Sequence, residues 1–369
     1  MRFGLSGLHG GLEADGSSAT LTLAGVAEGL GFDCLWFSEE HFDRGGTNTS
    51  SAPRQNRQVL SPIVLAAAAA ARTQRIRIGF SVLLIQLHDP LRLAEEIATL
   101  DVLSHGRVNL GIARPGNPNY VEAFGSRADP GPTLPATLDR MLGYWSGEVI
   151  PTTTAQNILA PQTVQEPHPP IFVGGYTTAT ITWAASRGYP LMQHGIQSPA
   201  SLLRCLHTYR KAGGDVARVP VGRFIHVAET DRLARAQTWE TVQRLAHRLR
   251  RIGIHQRPGD LITTDEELNP ENLYARTAII GSPHTVRERI TQLAEEHGLG
   301  YVNLLASFLG FLPEQHLRSS LSLFASEVAP TLAGFGPRPP TPVASRRHQR
   351  TTEHTAVPEP PGGRGHQAA

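Results

Sequence analysis

A chain of 369 residues with 40% apolar and 18% charged residues is long enough for one large core and has an ordinary globular composition. Its 34 Lys and Arg against 32 Asp and Glu, with no basic block interleaved with aromatics, give no reason to expect nucleic acid. Two distant cysteines, Cys34 and Cys205, exclude a disulfide framework, and the longest apolar run, 63–71, falls far short of the roughly twenty residues a spanning helix needs. The Gly-rich start, Met1 to Gly11, does not read as a secretion signal, so a cytoplasmic protein with no membrane partner is expected.

Strand and helix patterns alternate from the first residue. Residues 2–8 predict a strand, 19–30 a helix stopped by Gly31, 33–39 a buried strand and 59–73 an Ala-rich helix. Residues 75–84 read as a third strand. Residues 89–104 read as an amphipathic helix, with Leu91, Ala94, Ile97, Ala98 and Asp101 at helical spacing, and 107–114 as a fourth strand. Four more strands are predicted at 171–175, 190–194, 221–229 and 301–308. Helices are predicted at 177–187, 199–212, 231–251, 283–297 and 313–332.

Strands separated by helices form a parallel sheet, because each crossover carries the chain back along its face. Eight such units predict a closed (β/α)8 TIM barrel. The lack of GxGxxG between the first strand and helix argues against an open dinucleotide-binding sheet. Two segments interrupt the rhythm, 115–165 and 252–277. The first follows strand four directly and is expected to be an insertion on the C-terminal face. After Phe335 the composition turns to Pro, Gly, Arg, His and Thr, so a barrel over 1–334 and a disordered tail over 335–369 are expected.

Barrel enzymes place their chemistry at the C-terminal ends of strands. Strand two ends in Glu39, Glu40 and His41, and an imidazole beside a carboxylate is a natural proton-handling pair. Spacing alone does not separate that reading from a solvated strand end with one salt bridge. Strand four ends in Ala113 and Arg114, whose guanidinium fork matches phosphate oxygens. Strand five ends in Gly174, Gly175 and Tyr176, followed at once by Thr177 and Thr178 opening a helix. This reads either as an anion site or as a plain N-cap. His9 and His194 are further candidates for the pocket lining. No HExxH or comparable ligand spacing predicts a metal, and no GxSxG elbow predicts a serine nucleophile.

The segment RVNLGIAR at 107–114, preceded by LSHG and followed by Phe124-Gly125, resembles the fourth-strand signature of the bacterial luciferase-like monooxygenases. So does HDPLRLAE at 88–95. SEEHF at 38–42 is similar to that family's Glu-His-His-Phe. Thr177 and Thr180 with Trp183-Ala184-Ala185 resemble its flavin-phosphate segment, and Gly281-Ser282-Pro283 precedes the last barrel strand as in the family. The matches run in family order from residue 2 to about 330.

The resemblance implies reduced FMN as cofactor. It places the ring near Phe80, Ser81 and Ala113, with Gly174, Gly175 and Tyr176 beside it and the phosphate on Arg114, Thr177 and Thr180. It also implies a non-prolyl cis peptide near residues 79–81, and Glu40 and His41 as the catalytic pair. O2 and a small organic substrate follow, as does a separate NAD(P)H flavin reductase, since no NAD(P)H fingerprint is visible. The sequence departs from bacterial luciferase itself: Glu40 replaces the first His of its pair, Ala113 a reactive Cys, and Pro115 is inserted after Arg114. Hydroxylation or Baeyer–Villiger oxygenation is therefore expected and not light emission. Two alternatives stay open, a coenzyme F420-dependent oxidoreductase of the same superfamily and a catalytically silent flavin-binding partner subunit. Homodimerisation is also left open.

Overall fold

The computed structural model describes residues 1–6, 16–42, 60–124, 133–251, 253–254, 262 and 264–335. Eight parallel strands form one sheet: β1 (Arg2–Ser6), β2 (Cys34–Phe37), β3 (Arg77–Phe80), β4 (Val108–Ile112), β5 (Ile171–Gly174), β6 (Leu191–Met192), β7 (Pro220–Arg223) and β10 (Tyr301–Leu304). Their order is β6-β5-β4-β3-β2-β1-β10-β7. The seam between β6 and β7 closes through one bridge, Gln193 to Val221. There the Gln193 N–H donates to Pro220 O at 3.0 Å and the Gly222 N–H to Gln193 O at 2.8 Å. The result is the TIM barrel that the alternating pattern predicts.

The barrel interior is filled by Cys34, Trp36, Phe172, Met192 and Tyr301. Trp36 donates its Nε1–H to the Tyr301 hydroxyl at 3.1 Å, so the one polar atom of its indole is satisfied. Gly79 makes room for that ring, because a Cβ there would sit 2.4 Å from Trp36. Both cysteines are buried and free, and burial pushes the Cys34 thiol well up.

The helices α1 (Gly16–Gly29), α2 (Pro62–Arg72) and α3 (Pro90–Leu103) cover the first half of the barrel. α3 starts where it does because Asp89 accepts from the Arg92 N–H and Pro90 takes the first helical position. Arg107 is buried without a carboxylate. Its guanidinium instead donates to the carbonyls of Ala70, Thr73, Ile76 and Ser104, which ties the C-terminal end of α2 to β4. Asp101, fully buried on α3, accepts from the backbone of Val164 and Gln165 and from the Gln165 amide. That anchor returns the 115–165 segment to the barrel wall. The segment itself contains α4 (Pro118–Phe124) and α5 (Leu134–Trp145).

Two strands differ from expectation. The strand read over 221–229 divides at Phe224. β7 pairs with β10, whereas β8 (Ile225–Val227) pairs with β9 (Ile279–Gly281) in a separate two-stranded sheet. Periodicity shows that both halves are buried but not that their partners change. The strand read over 75–84 leaves regular pairing after Phe80. Phe335, assigned to the tail by composition, packs against the core, and its N–H donates to Leu332 O at 3.0 Å. The rest of the tail and His9 lie outside the described residues. Among the described residues no helix is long and apolar enough to cross a membrane, and no cluster of His, Cys, Asp or Glu is arranged to hold a metal.

Candidate active site

The site grows from an irregularity in β3. Gly79 pairs with Asn109 and Leu83 bridges Ile112, so four steps along β3 match three along β4. The extra residue is absorbed in a bulge over 80–82 that contains a cis peptide between Ser81 and Val82, one residue beyond the stretch the resemblance implied. Gly111 is required opposite it, since a Cβ there would fall 2.0 Å from Phe80 O. The bulge is held from both sides. From β2, the Ser38 hydroxyl donates to Ser81 O at 2.8 Å and the Glu39 N–H to Val82 O at 3.1 Å. From β4, Gly111 O accepts the Leu83 N–H at 2.8 Å, and the Ala113 N–H donates to Leu83 O at 2.9 Å.

Glu39 is the hub of the first rim. Its side chain is 1% exposed, and its Oε1 lies 2.8 Å from His41 Nε2 and 2.8 Å from His88 Nε2. Its Oε2 accepts the Leu84 N–H at 2.5 Å, just past the bulge. Burial by itself would raise this carboxyl. The hydrogen bond and charge of His88, the Leu84 N–H and the charge of His41 outweigh burial and hold it below its ordinary value. Burial works against protonation of His88, but the hydrogen bond and charge of Glu39, with Glu96 behind, raise it above its ordinary value. An ionised carboxylate only accepts, so both Nε2 atoms carry hydrogen, and the Nδ1 of each neutral ring is left as the accepting atom.

α4 caps this cluster. The Tyr120 hydroxyl accepts the His41 N–H at 3.1 Å and donates to His41 O at 2.9 Å. Phe124 lies 4.3 Å from the His41 ring, and Phe42 stacks on Phe124 with centroids 5.7 Å apart. Phe42 has φ 63°, a costly region for a bulky side chain, and here the rings of Tyr120 and Phe124 pack around it. A cavity of about 240 Å³ opens here. Glu39, Glu40, His41 and His88 contribute to its lining together with the apolar Phe42, Leu60, Ile63 and Phe124.

The second rim lies at the ends of β4 and β5. Ile112 pairs with Val173, so Ala113 and Arg114 stand beside Gly174 and Gly175 in register. A Cβ on Gly174 would lie 3.2 Å from Val82 Cγ1 and 3.3 Å from Ala113 Cβ, tighter than ordinary contact, so this corner leaves a flat surface next to the bulge. Arg114 is exposed and bonds no described residue. Thr177 caps α6 (Thr178–Ser186), accepting the Thr180 N–H at 3.3 Å, and the two hydroxyls lie 3.0 Å apart. Burial pushes the Tyr176 phenol up, opposed by the His194 backbone.

The structure thus gathers the expected residues into two rims flanking the bulge. His41 sits in the first rim, and Glu40 lines the same cavity. Ala113, Arg114, Gly174, Gly175, Tyr176, Thr177 and Thr180 share the second. Ser81 lies in the bulge between them. The Phe80 side chain is fully buried in the outer core, so only its backbone reaches the bulge. Sequence reasoning missed the two members that organise the first rim. Glu39 was read only as a neighbour of Glu40 and His41. His88 was read only as the opening of a helix signature, although it follows the strand next to β2 by way of one short turn at 85–87.

The family model described as luciferase-like monooxygenase matches residues 1–299. The chain is 28% identical to limonene 1,2-monooxygenase of Rhodococcus erythropolis over 332 residues, 84% of this chain and 80% of that protein. In solved structures the fold is similar to the oxygenating constituent of 3,6-diketocamphane monooxygenase of Pseudomonas putida in complex with FMN. The TM-score is 0.69, with 23% identity over 89% of this chain and 98% of that one. It is also similar to the coenzyme F420-dependent tetrahydromethanopterin reductase of Methanopyrus kandleri. There the TM-score is 0.62, with 17% identity over 89% of this chain and 99% of that one.

Proposed function

The chain belongs to the luciferase-like monooxygenase family, and from that premise we propose that it uses reduced FMN and O2 to oxygenate a small organic substrate. The observation that carries this reading is the register of β4 and β5. It brings Ala113 and Arg114, which follow β4, level with Gly174 and Gly175, from which the chain runs on to Thr177 and Thr180 at a helix N-terminus next to a glycine-flattened bulge. Arg114, Thr177 and Thr180 would hold the cofactor phosphate, since a guanidinium and free helix N–H groups both favour an anion. Ser81, Val82, Ala113 and Gly174 offer a surface without bulky side chains on which a planar ring can rest.

A reduced flavin, when bound, supplies the electrons that activate oxygen. The chain's own residues bind, orient and move protons. His41 is proposed to take up a proton at Nδ1, with Glu39 Oε1 bearing against the charge that develops on the ring. His88 shares the same carboxylate oxygen and acts as its counterpart. Tyr120 fixes the His41 backbone, so the imidazole stays on Glu39. Glu40, on the same cavity, is assigned to handling a substrate proton.

Electrons are proposed to come from a separate NAD(P)H flavin reductase. The diketocamphane relative is named as an oxygenating constituent, and the trigonelline monooxygenase of Acinetobacter baylyi, 27% identical over 46% of this chain, as an oxygenase component. Anaerobic titration with reduced FMN and with reduced F420, followed by an oxygen pulse, tests the reading. Reduced FMN should quench tryptophan fluorescence saturably, and the complex should then consume O2. Saturable binding of F420 alone would assign hydride transfer instead, and FMN binding without oxygen consumption would make the chain a silent subunit.

A further inference from the structure

The cavity at the end of β2 has a chemistry of its own. Its polar side presents two imidazoles fixed by one carboxylate, with both Nε2 atoms committed to Glu39 Oε1. Neither Nδ1 makes a hydrogen bond with a described residue. Its apolar lining is partly aromatic, with the Phe42 and Phe124 rings nearly parallel at 17° and Phe124 also packed on the His41 ring. Glu39 and Glu40 both belong to its lining. At about 240 Å³ it is smaller than the roughly 300–1,000 Å³ of a site for a drug-sized ligand.

Each feature restricts the occupant. The volume admits a single small ring system. The aromatic side favours a planar or compact apolar body. The carboxylates oppose an anion. The pair of Nδ1 atoms suits a group that can both give and take a hydrogen bond, because a neutral imidazole accepts there and an imidazolium donates. A hydroxyl meets both conditions, whereas a carboxylate or a bare hydrocarbon does not.

We propose that this cavity binds a small neutral hydroxyarene or cyclic alcohol, its hydroxyl on the Nδ1 atoms of His41 and His88 and its ring against Phe42 and Phe124. The proposal rests on the oxygenase reading insofar as this ligand is the molecule to be oxygenated. With a phenol, the O–H proton passes to His41 Nδ1, the ring becomes imidazolium against Glu39, and the phenolate remains beside that new cation, so the net charge of the cavity is unchanged. The proton lost by the ligand is the one gained by His41, and no redox partner is needed for this step. A phenolate ring is electron-rich, the state in which an aromatic carbon accepts oxygen most readily.

The test uses the full-length protein with phenol as probe and toluene and benzoate as controls, read by calorimetry and by histidine side-chain NMR. Phenol should bind saturably and move the imidazole signals of both His41 and His88. Toluene should bind at least about tenfold more weakly, as expected for loss of a hydrogen bond to a charged group, and benzoate should not bind. His41→Gln should weaken phenol about tenfold more than it weakens toluene. Phe124→Ala should weaken phenol and toluene alike, and it tests the ring contact even if the histidine variants do not fold. Equal affinity for phenol and toluene, imidazole signals unmoved by saturating phenol, or no phenol binding at all would each overturn the proposal. Phenol binding alongside failure to bind reduced FMN would sink the cofactor reading and leave this site standing. FMN binding without phenol binding would do the reverse.

Discussion

The two rims that flank the bulge are built on opposite plans. At the end of β2 the polar groups are buried and bonded to one another. Glu39 is nearly inaccessible, both of its oxygens are engaged, and the ring of partners includes backbone just past the bulge. At the ends of β4 and β5 the polar groups are exposed. Arg114 bonds no described residue, and Thr177 and Thr180 bond chiefly each other. The first rim is preorganised by the protein's own charges, which suits proton transfer, where geometry and pKa must be set before reaction. The second is built from flexible or terminal donors, which suits capture of an anion arriving from solvent. On the proposed reading, anion capture and proton transfer are thus divided between strand ends on either side of β3.

The largest expected effect comes from removing the hub. Glu39→Gln keeps the volume but loses the charge that both imidazoles use. Turnover should fall by about 10²-fold or more. Stability should fall by about 2–3 kcal/mol, read as a lowered melting temperature, because hydrogen bonds to a buried charge are lost. A variant with wild-type turnover would show that the first rim is only structural.

Arg114→Ala should act on the other side of the comparison. Reduced-FMN affinity should drop by about 1.5–3 kcal/mol, the range for a charge-assisted hydrogen bond, with the melting temperature of the cofactor-free protein unchanged because the side chain is exposed. Fluorescence titration and thermal unfolding decide it, and a loss of stability without loss of affinity would contradict the division.

Intermediate in size is a pH effect confined to the first rim. His88 is raised above its ordinary 6.5, so its contribution is fully present below about that value and is lost as pH rises through the raised folded-state value. Glu39 is lowered below its ordinary 4.5, so its contribution is present above that value and lost as pH falls through the lowered one. The cluster should therefore be most stabilising between about 4.5 and 6.5. The melting-temperature gap between wild type and His88→Gln should peak in that window and narrow at higher pH. A gap that does not vary with pH would detach His88 from Glu39.

The smallest effect should come from the tail. Ending the chain after Gly336, which keeps Phe335, should leave melting temperature and reduced-FMN affinity within error, since the deleted sequence lacks core-forming residues.

Much of the barrel is legible in the sequence because the barrel strands are largely buried on both faces and several helices carry their own start signal. Asp89-Pro90, Ser198-Pro199 and Ser282-Pro283 all cap helices as such pairs should. The division of 220–227 between two sheets is not legible, because partner choice leaves no trace in periodicity. The second rim is legible for a similar local reason, since its groups follow directly on β4 and β5. The first rim is not: Glu39 and His88 are 49 residues apart, and only the bulge brings Leu84 and His88 over the end of β2. The family resemblance pointed to Glu40 with His41, whereas the carboxylate that is buried and bonded to both imidazoles is Glu39.

The most direct test measures reduced-FMN affinity and coupled turnover together on Glu39→Gln and Arg114→Ala. The two-rim account predicts a crossed result. Glu39→Gln should bind reduced FMN as wild type does yet turn over at least about a hundredfold more slowly. Arg114→Ala should bind weakly yet recover most of its turnover at saturating FMN. If both variants lose affinity and turnover in the same proportion, the rims are one site and the division of labour is wrong.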